Sequence, residues 1–416
     1  MRGMRMTFLL LLLPLLGPAP VSAQAAPPQT QEDDYTRYEL LAPGSGQFRI
    51  LYEVTATTPG AAFFFNTIRP GSVASNERVL DAMTGRELKF EVVKGTQARA
   101  EGHPGADAST DYIKVHLARP VPATGQARLI IDKTYADAKS YYRDGDVIVF
   151  DRSLGIRRNS VVLPAGYRLV SVNVPSQVIP QPDGRLMVSF MNPGPAAAPL
   201  VVRARPGLAP FTPKLPAAEG PASGSPLASQ AERLSERAHQ DREIVYFPND
   251  PNTHSFSLYH DYTETRAGVD KYFNVVRTGS AVSNPSAILL DTGEALKVEI
   301  VKGAELKRRG IDPGEPFEAS SEVVVISFPA VKPGESARIR ISETYTDAKR
   351  YYVEGDELVW DRAFGRPRNA VVLPAGWSVV ASAIPAVVSL EPDGRQRLDF
   401  ENNRPDEIQV LIRARR

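Results

Sequence analysis

The sequence predicts an all-β chain: two tandem homologous antiparallel β-sandwich domains of immunoglobulin-like kind, with a short helix in the segment between them. Three observations carry that expectation. A long passage occurs twice, "YADAKSYYRDGDVIVFDRSLGIRRNSVVLPAGY" from Tyr135 to Tyr167 and "YTDAKRYYVEGDELVWDRAFGRPRNAVVLPAGW" from Tyr345 to Trp377. Apolar and polar residues alternate over short runs, the pattern of strands with one buried face. Gly, Pro, Asn and Asp clusters such as "MTGRE", "LPAGY" and "QPDGR" break those runs at the intervals of a sandwich.

The repeat defines the domains. Tyr135 and Tyr345 stand 210 positions apart, and so do "VRAR" at Val202 and "IRAR" at Ile412. Upstream, Phe65-Asn66 matches Phe273-Asn274, Ser75-Asn76 matches Ser283-Asn284, and "VKG" at Val93 matches Val301, each 208 apart, so the second copy has gained two residues between Gly303 and Tyr345. Residues 35–206 and 243–416 are therefore read as the two repeats. Residues 207–242, opening with "PGLAPFTPKLPAAEGPASGSPLASQ", read as a core-poor linker. Leu227, Ala231, Leu234 and Ala238 stand at helical spacing near its end.

Within each copy the strands follow from alternation. In "ARIRISETY", Ile339, Ile341 and Tyr345 face one way and Arg338, Arg340 and Ser342 the other. Asp144-Gly145 and Glu354-Gly355 lie between two strand-like runs, where a hairpin needs a residue that tolerates positive φ.

At the amino end, Arg2 and Arg5 precede an apolar run from Phe8 to Leu16, and Val21-Ser22-Ala23 offers small residues for cleavage. Residues 1–23 read as an export signal and 24–34 as a tail, which makes the product periplasmic or secreted. No later stretch approaches the roughly 20 apolar residues of a membrane-spanning helix. The chain has no cysteine, so neither a disulfide framework nor a lipid-modified cysteine is open to it. Its 49 basic and 48 acidic residues argue against nucleic acid as a partner.

The repeated loop is the closest thing to a site. Asp151, Arg152, Arg158 and Asn159 recur as Asp361, Arg362, Arg368 and Asn369, each set preceded by a tyrosine pair, Tyr141-Tyr142 and Tyr351-Tyr352. On one reading Asp151 accepts bidentate hydrogen bonds from Arg152 or Arg158 and clips a loop to the sandwich, while the two tyrosines cover opposite sheet faces. On the other, the tyrosines and the loop form a polar, aromatic-lined surface for a saccharide or peptide. The first is preferred, because charged pairs in loops are far more often clips than sites.

No HExxH, GxSxG or GxxxxGK motif occurs. The five histidines, His103, His116, His239, His254 and His260, have no histidine at their counterpart positions. His254 and His260 would stand about 20 Å apart along a strand, too far to share a metal. No metal or cofactor is expected. Asp137 and Asp151, recurring as Asp347 and Asp361, leave open a carboxylate pair for glycoside hydrolysis.

The first part of each copy, "QFRILYEVTATTPGAAFFFNTIRPGSVASNERVLDAMTGRELKFEVVKG" and "SFSLYHDYTETRAGVDKYFNVVRTGSAVSNPSAILLDTGEALKVEIVKG", resembles the N-terminal β-domain of glycyl-aminopeptidase-type zinc peptidases: a strand pair, a proline-glycine turn and a "d..G..L" strand in succession. Copy two replaces Pro70 by Thr278, and the family's catalytic domain has no counterpart. The resemblance implies a β-sandwich accessory module and carries over no functional residue. The expectation is an exported, non-catalytic tandem β-sandwich that acts as a binding or structural module on an envelope protein or extracellular glycan. The alternatives are a glycan-acting hydrolase and an accessory subunit of an envelope protease or secretion machine.

Overall fold

The computed structural model describes residues 28–210, 236–277, 279–314, 316–404 and 406–416. The expected export signal, Thr278, and Leu227, Ala231 and Leu234 of the expected linker helix lie outside them. Ala238, the last member of that helical pattern, is buried in a turn at 237–239.

Among the described residues, each half is built of three sheets around one main core. In the first, a seven-stranded sheet runs in the order Gln177–Pro180, Leu186–Met191, Arg158–Val162, Gln31–Leu40, Gln47–Ala56, Ala127–Ala136, Val73–Asp81. A four-stranded sheet (Tyr167–Val172, Ala198–Pro206, Val147–Leu154, Tyr141–Asp144) and a three-stranded one (Phe63–Thr67, Asp111–His116, Phe90–Lys94) face it. Phe48, Ile50, Ile131, Phe150, Val202 and Ile113 meet between them, one side of each strand supplying the core as the alternation requires. The second half repeats this order, with one more short strand, Glu294–Ala295, at the edge of its large sheet.

Among the described residues, pairing is antiparallel except at one place in each half. Gln31–Leu40 runs parallel to Arg158–Val162, and Glu243–Pro248 parallel to Arg368–Val372. A parallel pair needs a long connection, and here most of the domain intervenes. The first strand begins at Gln31, inside the stretch read as a tail.

The short repeated motifs have separate causes. Asn76 and Asn284 adopt φ of 54° and 50°, at the points where the register of their strands shifts against the neighbour. Asparagine tolerates the left-handed region, so "SN" marks a bulge. Gly95 and Gly303 of "VKG" open the two short helices Gly95–Ala100 and Gly303–Arg309, where a Cβ would lie 1.7 Å from the Asp107 carbonyl oxygen and 1.9 Å from that of Glu318. Asn66 and Asn274 point inward, onto Lys133 and Glu343 respectively. Gly145 and Gly355 turn their hairpins with φ of 65° and 64°.

The halves meet reciprocally. The Gln126 amide donates to the Leu290 carbonyl, and the Ser336 amide, its counterpart, donates to that of Met83. Each half's hairpin tip thus sits against the other's loop, the arrangement of a two-fold interface. Among the described residues, two ion pairs break the symmetry: Arg128 grips the fully buried Asp291 carboxylate at 2.7 and 2.8 Å, and Arg157 donates to Glu401 at 3.1 Å.

Candidate binding face

The structure separates the residues of the repeated loop. Tyr141 and Tyr351 are fully buried, and their hydroxyls donate to the carbonyls of Leu41 and Asn249. Tyr142 and Tyr352, one residue on, are half-buried on the opposite face. Arg152 and Arg362 point into the core, over Phe48 and Phe256 at 5.5 and 4.8 Å from the ring centroids. Burial pulls the Arg362 pKa below its usual value.

The acid that receives these arginines is not the one expected. Arg152 donates to Asp137 at 3.0 Å and Arg362 to Asp347 at 3.4 Å. Asp137 also caps the amides of Lys139 and Ser140, and its carboxyl is held below the usual range because hydrogen bonds from Ser140 and Ser72 and the Arg152 charge together outweigh its partial burial. Asp151 is exposed, and Asp361 accepts from Gln409. The reason is the pleat: Asp151 and Arg152 are neighbours on one strand, so their side chains leave by opposite faces. The clip exists, made by a different carboxylate.

Arg158 and Arg368 have another task. Both are buried, and both donate to main-chain carbonyls of the segment joining the halves: Arg158 to Ala238 and His239, Arg368 to Asp241, all at 3.0 Å. Asn159 and Asn369 turn back to the carbonyls of Ile156 and Arg366. The repeated loop is therefore a clamp, an anchor for the connecting segment and a turn cap. Asp137 turns onto Arg152, while Asp151 is exposed on the other face of its strand. Among the described residues, no group of three His, Asp or Glu side chains could hold a metal.

What distinguishes the halves lies where the repeat is not identical, on the outward face of the two large sheets. In the first half that face carries a ladder of charges. Arg49 grips Asp132 at 2.6 and 2.8 Å, Arg49 and Arg185 reach Glu39 at 3.7 and 3.8 Å, Arg37 donates to Glu39 at 2.9 Å, and Arg78 pairs with Glu87 at 2.6 Å. In the second half most of these positions carry no charge, and the ion pairs of that face stand elsewhere on it, at Arg340 with Asp261 and at Arg397 with Asp399 and Glu243. Val245 stands at the position of Arg37, Phe247 at Glu39, Ser257 at Arg49, Ser342 at Asp132 and Ser286 at Arg78.

The register assembles these replacements into two rows. Val245, Tyr259, Ser342 and Ser286 lie side by side across four strands, and so do Phe247, Ser257, Thr344 and Ser283. A recess of about 300 Å³ opens there, lined by Phe247, Ser257, Tyr259, Asn284, Ser342 and Thr344. Phe247 and Tyr259 form its aromatic wall, with ring centroids 6.0 Å apart, and Arg340 stacks on Tyr259 at 4.2 Å. Beneath them Val245, Ala370 and Val372 form a small apolar cluster. This face escapes sequence reasoning that follows only what recurs. Its signal lies in what does not recur: at alternate positions of aligned strands one copy is charged and the other aromatic or hydroxylic.

No family profile matches the chain, and no curated protein does. Among solved structures, the chain is similar to an aminopeptidase N family protein from Idiomarina loihiensis at 12% identity and a TM-score of 0.26, covering 41% of this chain and 29% of that one. It is similar to an M1 zinc metallopeptidase from Deinococcus radiodurans at 10% identity and a TM-score of 0.29, covering 44% of this chain and 43% of that one. It is also similar to a two-domain M1 zinc metallopeptidase mutant bound to L-tryptophan, at 11% identity and a TM-score of 0.29, covering 50% of this chain and 52% of that one. The chain thus spans about a third to a half of the length of these structures. The resemblance noted in the sequence to zinc peptidases is met here, and no activity or residue role passes across at this level of likeness.

Proposed function

We propose that the chain is an exported, non-catalytic binding module, working in the cell envelope or extracellular space, whose two β-sandwich halves divide the labour: the first is scaffold, the second presents the binding face. The observation that supports this is the displacement of the charge ladder from five aligned positions in one copy of a duplicated frame, which leaves an uncharged recess between the remaining ion pairs. Surface ion pairs contribute little to stability, so their loss at these positions costs the fold little and leaves the positions open to another role. The displacement exchanges paired charges at these positions for a shallow, open recess with an aromatic wall, a surface on which a ligand can lie.

The test restores the ladder. Phe247→Glu, Ser257→Arg and Ser342→Asp together give the second half the residues that the first half already carries on the same framework. The full-length wild-type and triple-variant proteins are incubated with sedimented envelope material and their retention compared. Retention of the wild type with loss in the variant supports the reading; equal retention contradicts it.

A further inference from the structure

Resting on that reading, we infer that the face of the second half binds a neutral saccharide. The groups around the recess restrict its ligand. Its floor is hydroxylic: Ser257 and Thr344 lie 3.3 Å apart, Oγ to Oγ1, while the Ser342 hydroxyl and the Asn284 amide have no hydrogen-bond partner among the described residues. Asn284 is fixed at the bulge with φ of 50°, at the edge of the recess. Both hydroxyls and amides donate and accept, so they match a ligand that is itself a carrier of hydroxyls.

The charges nearby are already satisfied by one another. Arg340 holds Asp261 through two bonds of 2.7 and 2.8 Å, Arg397 holds Asp399 at 3.0 Å and reaches Glu243 and Glu391 at 3.5 and 3.3 Å, and Arg395 holds Asp393 at 2.8 Å. Among these described residues no uncommitted cation is left to select a phosphate, sulfate or carboxylate, and no uncommitted anion to select an amine. A ring system with an apolar face to set against Phe247 and the part of Tyr259 that Arg340 leaves uncovered, and a hydroxylated edge to set on Ser257, Ser342, Thr344 and Asn284, completes the complementarity. A peptide in extended form would seek an unpaired strand edge for its main chain. The strands flooring this recess, Ser255–Glu264 and Ala337–Thr346, are paired on both sides.

The experiment titrates full-length protein with neutral hexasaccharides (α-1,4-glucan, β-1,4-glucan and β-1,4-N-acetylglucosamine), with a hexagalacturonate as the acidic arm and an uncharged Ser/Gly-rich hexapeptide as the peptide arm. Saturation-transfer NMR and calorimetry supply the readouts. The expected result is binding of at least one neutral hexasaccharide, weakened about tenfold or more by the triple ladder variant. Asn284→Gly, which keeps the positive φ and deletes only the amide, should weaken it about threefold. Binding of the hexapeptide or hexagalacturonate alone, abolished by the ladder variant, overturns the saccharide inference and leaves the binding face standing. Saccharide binding unchanged by the ladder variant overturns both.

Discussion

The two halves of this protein share their strand order, their bulges, their buried tyrosines and their arginine clamps, yet at one interior position they carry opposite charges. Lys133 in the first half and Glu343 in the second occupy equivalent places on the inner face of the large sheet, each hydrogen-bonded to the equivalent asparagine. Burial pulls the Lys133 amine down to about 7, helped by the nearby Arg152 charge, and burial pushes the Glu343 carboxyl up. The frame dictates that something polar stands there to meet the asparagine. It does not dictate the sign. The same holds on the outer face, where the same aligned positions carry a charge ladder in one copy and an aromatic, hydroxylic recess flanked by ion pairs in the other. Duplication has fixed the backbone and left the side chains on these two positions of each pleat free to diverge.

The largest effect is expected where the frame itself is common to both. Gly95→Ala and Gly303→Ala each force a methyl group into a backbone carbonyl, so each should cost about 3 kcal/mol, and by similar amounts. Denaturant unfolding of the two variants checks this. A change below about 1 kcal/mol in one of them would mean that the two helix starts are not equivalent.

The interior charges sharpen the contrast through pH. Between about 7 and the ordinary lysine value of 10.5, the unfolded chain holds a proton that Lys133 has lost on folding, so the first half gains stability as pH rises. Above the ordinary glutamate value of 4.5 the relation is reversed: folded Glu343 keeps a proton the unfolded chain has released, so the second half loses stability as pH rises until the folded carboxyl also ionises. A tenfold difference in proton affinity between the folded and unfolded chain corresponds to about 1.4 kcal/mol. Hydrogen exchange of Ala127–Ala136 and Ala337–Thr346, followed from pH 5 to 9, should show the two strands moving in opposite directions. Lys133→Met and Glu343→Gln should each abolish one trend and leave the other. Parallel trends would refute the assignment.

A smaller effect separates the carboxylate that makes the clamp from the one beside the arginine in sequence. Asp137→Asn and Asp347→Asn each weaken a hydrogen-bonded partner of a buried arginine and should lower stability by about 1 to 2 kcal/mol. Asp151→Asn should change it by less than about 0.5 kcal/mol. Thermal melts of the three variants decide it, and a larger loss at Asp151 would make that residue the clip after all.

The duplication, the strand class, the turn glycines and the opposite facing of the tyrosine pairs are legible in the sequence, because each depends on local spacing. The arginine partner is not. Asp137 and Asp151 recur at the same displacement, and only the fold brings Asp137, fifteen positions before Arg152, across the turn to meet it. Arg158 and Arg368 are visible as repeated charges, but their acceptors are main-chain carbonyls of a segment that has no repeat partner. The proposed binding face is hidden for the opposite reason: its residues are spread over four strands and are brought together only by register.

A division into scaffold and binding face requires the two outer faces to behave differently when the protein is at work. The direct measurement is residue-resolved hydrogen exchange of the full chain, free and bound to envelope material or to a saccharide that binds. Protection should rise in Ser255–Glu264 and Ala337–Thr346 and stay unchanged in Gln47–Ala56 and Ala127–Ala136. Equal protection in both halves, or protection confined to the first, would contradict that division.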